Sequence, residues 1–297
     1  MRVTRLLNYR HTTNNIRDLR SREATALQRI ASGKRILKPS EDPDDAVNAQ
    51  RTRSVMSRIE ARVSRAEMAE NQLAGYDVAL AGVADIIGRL HQLSVQMANE
   101  TYNATDRANT VEEVTQLQAS LRAIANTRSD DRYIFSGTDT NVEAIDATGT
   151  YQGNGTVQEI DLGNPGAPST RVEVSVTGDD VFFGAGGGTD IMTATDDLVT
   201  ALELNDTAGI RTAIGEFLAG SDQTAAFRAR IGATMNRVDG IRNRNEDESI
   251  RESELLSGFV DADIAATATE LAQAQFGLQA AMTATARIGQ VSLLDLL

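Results

Sequence analysis

Two acidic groupings, two histidines and a glycine run are the residues whose types and spacing could support chemistry in this chain. Asp42, Asp44 and Asp45 could be drawn as a cation site, but they surround Pro43 at the start of a helical pattern, where carboxylates complement the helix dipole. Asp261 and Asp263 precede the last helical pattern and read the same way. His11 and His91 lie far apart on predicted helices and have no serine or zinc context. Gly184-Ala185-Gly186-Gly187-Gly188 lacks the spacing and the following helix of a dinucleotide fingerprint, so it reads as a flexible loop. Cysteine and tryptophan are absent and aromatic residues make up 4% of the chain, which removes thiol nucleophiles, thiolate metal sites and most stacking platforms. The expectation is a protein with no catalytic residue, no metal and no cofactor, whose work is non-covalent.

Charge points the same way. The chain carries 29 basic and 42 acidic side chains, a formal net charge of -13, which opposes a general phosphate-binding surface and excludes nucleic acid as the expected partner. Residues 1 to 40 hold ten basic and two acidic side chains, about +8, so the remainder sums to about -21. Opposite halves of this kind can attract one another between subunits. The opening Met1-Arg2-Val3-Thr4-Arg5-Leu6-Leu7 turns polar after two leucines, so no cleavable signal peptide is expected. No run of about 18 apolar residues stands out either, and no membrane span is expected.

The elements that must position any surface are mostly helices. Leu6, Tyr9, Thr13, Ile16, Leu19, Leu27 and Ile30 recur at mostly three- and four-residue steps, predicting a helix over 4–31 that stops at Ser32-Gly33. Asp42-Pro43 starts the next, with Asp as cap and Pro in the first turn. From Ile59 through Val63, Ala66, Leu73, Tyr76, Leu80, Val83, Ile87, Leu90 and Met97 an apolar seam runs without proline, which predicts about 90 Å of helix. Val111, Val114, Leu117, Leu121 and Ile124 predict a shorter antiparallel return. Residues 132 to 192 change to a β-rich insert, with strict alternation at Val172, Val174 and Val176 and a turn signal at Asn154-Gly155. Short helices are expected over Asp196 to Ala219, then a long one over 222–259. The final stripe is Ile264, Ala268, Leu271, Leu278, Met282, Ile288, Val291 and Leu294 in an Ala/Thr/Gln background. Neither terminal helix can bury enough alone to be stable in water, so both must pack on each other or on neighbours.

Two separated segments resemble a known family. Ile30-Ala31-Ser32-Gly33-Lys34-Arg35-Ile36, then Glu41-Asp42-Pro43-Asp44-Asp45-Ala46, is similar to the N-terminal signature of the bacterial flagellin superfamily. Asn103-Ala104-Thr105-Asp106-Arg107 and Ile124-Ala125-Asn126-Thr127 follow in family order, and Asp261-Ala262-Asp263-Ile264-Ala265 with the closing Gln290 to Leu297 resemble its C-terminal region. Arg132-Tyr133-Ile134-Phe135-Ser136-Gly137-Thr138 and Tyr151-Gln152-Gly153-Asn154-Gly155 are most similar to the type of member that joins hook to filament, with the filament subunit as the alternative.

The resemblance implies a mainly α fold: a long-helix, coiled-coil-like bundle built from the two ends of the chain, with a small β-rich inserted outer domain. Residues 1–40 and 262–297 would form an inner polymerisation layer, 41–131 and 192–261 a bundle layer, and 132–191 the insert. It further implies type III export to the outside of the cell and a ring of like subunits touching a neighbouring hook-associated protein and flagellin. A flagellar export chaperone would meet the chain before assembly. The expected assembly interface is Leu6, Tyr9, Ile16, Leu19, Leu27, Ile30, Ile264, Leu271, Leu278, Met282, Ile288, Val291, Leu294 and Leu297. The insert lies outside the seams and the signatures, and its removal is expected to leave assembly largely intact. A helical binding protein that stays monomeric is the distant alternative.

Overall fold

The computed structural model describes residues 2–163 and 170–294, with side chains over 10–163 and 170–286. Helix α1 spans Arg2–Ser32, α2 Pro43–Met97, α3 Ala104–Ala125, α4 Gly178–Phe182, α5 Ile191–Glu203, α6 Thr207–Val260 and α7 Ile264–Leu294. Four short strands complete the described elements: β1 Arg128–Ser129, β2 Arg132–Tyr133, β3 Glu159–Asp161 and β4 Arg171–Glu173. The chain divides into two compact units, residues 1–59 with 248–297, and residues 60–247.

In the first unit the predicted boundaries hold. Gly33 adopts φ +69° and its N–H donates to the Arg29 carbonyl at 2.9 Å, the left-handed cap that closes α1. The Asp42 carboxylate accepts the Asp45 N–H at 3.2 Å and its carbonyl accepts the Ala46 N–H at 3.0 Å, which starts α2 at Pro43. α1 and α7 then lie against each other as the main pairing of this unit.

In the second unit the seam of α2 is the spine of the core: Ala66, Leu73, Tyr76, Leu80, Val83, Ile87, Leu90 and Met97 are all buried. One 18-residue window of α2 reaches a mean hydropathy of 1.2, enough by length and composition to cross a membrane; 39% of that window is buried in the protein, along the core-facing seam. α3 is fixed by a capping box in which the Asn103 side chain accepts the Thr105 and Asp106 N–H groups while Asp106 accepts the Asn103 N–H at 3.0 Å. α6 is one 54-residue helix, where the sequence predicts a break near residue 220. Ile210, Ala213, Phe217, Thr224, Ile231, Val238 and Ile241 are buried along it, so its core-facing stripe passes through Gly220-Ser221-Asp222 without interruption.

The inserted segment holds few paired residues. β1 and β2 form a hairpin whose turn residues Asp130 and Asp131 have φ 48° and 63°, and β3 and β4 pair antiparallel with Ile160 opposite Val172. The predicted alternation fails at Ser175, which is buried and whose hydroxyl accepts the Gln158 N–H at 2.6 Å. The segment also shares the helices' core. Phe135 stands edge-on to Tyr76 of α2 at 5.4 Å and to Phe182 of α4 at 5.2 Å, and Ile145, Leu162, Val174 and Val181 join the same buried cluster.

Burial pushes the Tyr76 phenol up to about 12, from an ordinary value of 10.0, and burial does the same to Tyr151. A phenol with a raised folded pKa contributes stability that is full below about pH 10 and is lost as pH rises toward 12. The second unit is therefore expected to weaken between pH 10 and 12, followed by tyrosinate absorbance together with circular dichroism. Tyr76→Phe, which cannot ionise, should make that alkaline loss shallower; an unchanged profile would count against the assignment.

Candidate assembly site

The residues that resemble the two family signatures meet in the first unit. The Arg35 N–H donates to the Val260 carbonyl at 2.7 Å and the Ala262 N–H to the Gly33 carbonyl at 2.9 Å, which makes Lys34 and Asp261 an antiparallel bridge. The turn after α1 and the turn between α6 and α7 are thus joined through the main chain. The Arg35 guanidinium adds a fork: it donates to Asp42 at 2.9 Å, to Asp45, and to the Phe259 carbonyl at 2.7 Å.

Hydrogen bonds to Asp42 and then Asp45 raise the Arg35 pKa. The bond from Arg35, with the Asp45 N–H, holds the Asp42 carboxyl below its usual range. Two of the three acids that could be drawn as a cation site are therefore occupied by an arginine. Sequence reasoning named this cluster as a helix start and missed Arg35 as its partner; the only available signal was its position inside the signature.

The other candidates settle into structural roles. Asp263 caps α7, accepting the Ala265 and Ala266 N–H groups at 2.9 and 3.0 Å, and Asp261 accepts the Ser257 hydroxyl at 2.7 Å. The side chain of Gln223 closes the glycine loop, accepting the Thr189 N–H at 2.7 Å and donating to the Asp180, Val181 and Thr189 carbonyls. Among the described residues no three His, Asp or Glu side chains gather in a way that could hold a metal ion.

The α1–α7 pair brings together part of the expected interface. Ala26, Thr267 and Ala274 are buried between the helices, and Ile16, Leu19, Ile30, Leu271 and Leu278 are half-buried beside them. Leu19 reaches within 3.0 Å of the point where a side chain on Gly277 would begin, so the small residues of α7 permit the close approach. Leu27, Ile264 and Met282 stay about half exposed, and Phe276, which the predicted stripe omitted, is 73% exposed. The pair therefore buries one side of each helix within the chain and leaves several large apolar side chains exposed. Leu6, Tyr9, Ile288, Val291, Leu294 and Leu297 lie outside the residues whose side chains are described.

Nothing lies within 4 Å of the place where a methyl group on residue 33 would stand, so a substitution at Gly33 is opposed by its positive φ alone. Gly33→Ala is expected to destabilise the first unit by about 1–2 kcal/mol, read as a lower thermal midpoint, and Gly33→Asn by less. Equal midpoints for Gly33→Ala and the parent chain would sink this account of the turn.

The two end helices of the chain pair with each other, and the turns that lead into them are joined through the main chain. Residues 3–140 match the family described as bacterial flagellin N-terminal helical region, and residues 216–297 match the bacterial flagellin C-terminal helical region. The flagellar hook-associated protein 3 of Escherichia coli (strain K12) is 24% identical over 332 residues, covering 100% of this chain and 99% of that protein. The flagellin of Listeria monocytogenes is 22% identical over 269 residues, covering 89% and 88%. The crystal structure of flagellar hook-associated protein-3 from Legionella pneumophila shares the fold, with a TM-score of 0.62 at 14% identity over 70% of this chain and 98% of that one. The chain belongs to the bacterial flagellin superfamily, and within it is most like the hook-associated protein 3 members.

Proposed function

We propose that this chain is a structural subunit of the bacterial flagellum that joins hook to filament and assembles through its terminal helices. The observation that carries the reading is the end-to-end likeness to the E. coli hook-associated protein 3, which spans all of this chain and 99% of that one. The α1–α7 pair supports it physically: it leaves the large apolar side chains of Leu27, Ile264, Phe276 and Met282 exposed, and neighbouring subunits would cover them.

In this reading residues 1–40 and 262–297 form the inner polymerisation layer, 41–131 with 192–261 the bundle layer, and 132–191 the outer insert. The subunit works by binding rather than by catalysis, outside the cell, as a ring of like subunits between a hook-associated protein and flagellin. An export chaperone covers the α7 stripe until assembly. Flagellin is the second reading, supported by the Listeria relative. Electron micrographs of cells lacking the gene separate the two: hooks without filaments are expected, whereas hooks that still carry a junction zone would identify a filament subunit.

A further inference from the structure

Beside the clamped turn lies a groove of about 550 Å³ whose lining includes Ile36, Leu37, Val47 and Val260, with Lys34, Lys38 and Arg53 at the same groove. No carboxylate lines it. Val47 is 51% exposed, and Lys34, Lys38 and Arg53 are exposed. Lys34 and Lys38 are the only lysines in a chain that carries 42 acidic residues. The groove joins apolar walls to charges that are all cationic, on a protein of net charge -13.

The complement sits on the same chain. Over residues 248–256 α6 carries Glu248, Glu252 and Glu254 against the single Arg251, and two large apolar side chains project from it: Ile250 is 59% exposed and Leu255 53% exposed. We infer that this acidic, apolar stretch of α6 on one subunit docks into the groove of the next copy of the chain. The inference rests on the assembly reading above and names one of its contacts. Apolar burial of Leu255, which shares its side of the helix with Glu248 and Glu252, supplies affinity, and the Lys and Glu side chains set orientation and exclude like-charged pairings. Repeated in one direction, from the ridge of one copy to the groove of the next, the contact is head-to-tail, the kind that closes into a ring when the rotation per subunit allows.

The chain has no cysteine, so Val47→Cys and Leu255→Cys supply the only thiols on their respective variants. The two single variants are co-expressed in flagellated cells, and isolated flagella are mildly oxidised. The expected result is a disulfide dimer with one chain of each kind, absent when either variant is expressed alone. In a second arm, Lys34→Glu with Lys38→Glu should lose incorporation, and adding Glu252→Lys with Glu254→Lys to the same chain should restore it. Flagella that contain both cysteine variants but no mixed dimer overturn the docking contact while leaving the assembly reading standing. A disulfide from the Val47→Cys variant to another flagellar protein gives the groove to that protein and overturns it too. If neither the parent chain nor the variants are found in flagella, the assembly reading falls and the contact with it. Charge-reversed chains that incorporate at the parental level likewise overturn it, and should they fail to fold, the cysteine arm decides alone.

Discussion

Replacing residues 140–188 by a short linker is expected to unfold the second unit. The excised stretch contributes Ala144, Ile145, Leu162, Val172, Val174, Val176, Val181 and Phe182 to the buried cluster that also holds Leu73, Tyr76 and Ile87 of α2. Removing a single large core side chain typically costs about 2–5 kcal/mol, while a whole domain is stable by only about 5–15 kcal/mol. Eight losses exceed that margin. Phe182→Ala isolates one of them: it should cost about 3–5 kcal/mol, since the ring is fully buried and edge-on to Phe135. Denaturant unfolding followed by circular dichroism measures both. A deletion variant that still unfolds cooperatively at the parental midpoint would show that the helices hold their core without the insert, as the sequence alone led one to expect.

Leu271→Asp and Leu278→Asp are expected to leave export intact and to abolish incorporation. Both side chains are half-buried on α7, on the side that meets α1. A carboxylate there has no basic partner from the Ala/Thr/Gln background of α7, and closing the helices over it desolvates a charge in an apolar contact, worth on the order of several kcal/mol against the closed state and offset only where an α1 arginine such as Arg22 or Arg29 reaches it. The loss should appear as subunits in the culture medium and hooks without filaments. Phe276→Asp is the informative contrast. Its ring is 73% exposed in the lone chain, so it should disturb assembly without loosening the α1–α7 pair in the monomer. Normal filament attachment in Leu271→Asp and Leu278→Asp would mean that closure of α1 on α7 is not needed for assembly.

The parts of this fold that the sequence revealed are those in which cause and effect lie within a few residues. The stop at Gly33, the start at Asp42-Pro43, the box at Asn103 to Asp106 and the buried face of α2 each follow from local backbone chemistry or a short period. What stayed hidden depends on partners far away in the chain. Arg35 and Phe259 are 224 positions apart, so the fork at the turn left no periodic trace. Ser175 breaks a clean alternation because Gln158 needs its hydroxyl, and a pattern of apolar residues cannot register a hydrogen bond. The continuity of α6 was missed because Gly220 reads as punctuation, although the buried stripe on either side of it stays in phase. Of the expected interface, the inner residues Ile16, Leu19, Ile30, Leu271 and Leu278 are found where α1 meets α7, and Phe276 went unnoticed because it lies off the stripe.

The bridge between Lys34 and Asp261 divides labour between atoms every residue has and atoms only some have. Its two hydrogen bonds run through the N–H groups of Arg35 and Ala262 and the carbonyls of Val260 and Gly33, so drift in the side chains at 34 and 261 leaves the joint intact. Constraint concentrates instead on Gly33, by its left-handed backbone, and on Arg35, by its three acceptors. The side chain at position 34 can therefore be exchanged without breaking the joint, so the proposed docking contact can be altered there at no cost to the fold that presents it.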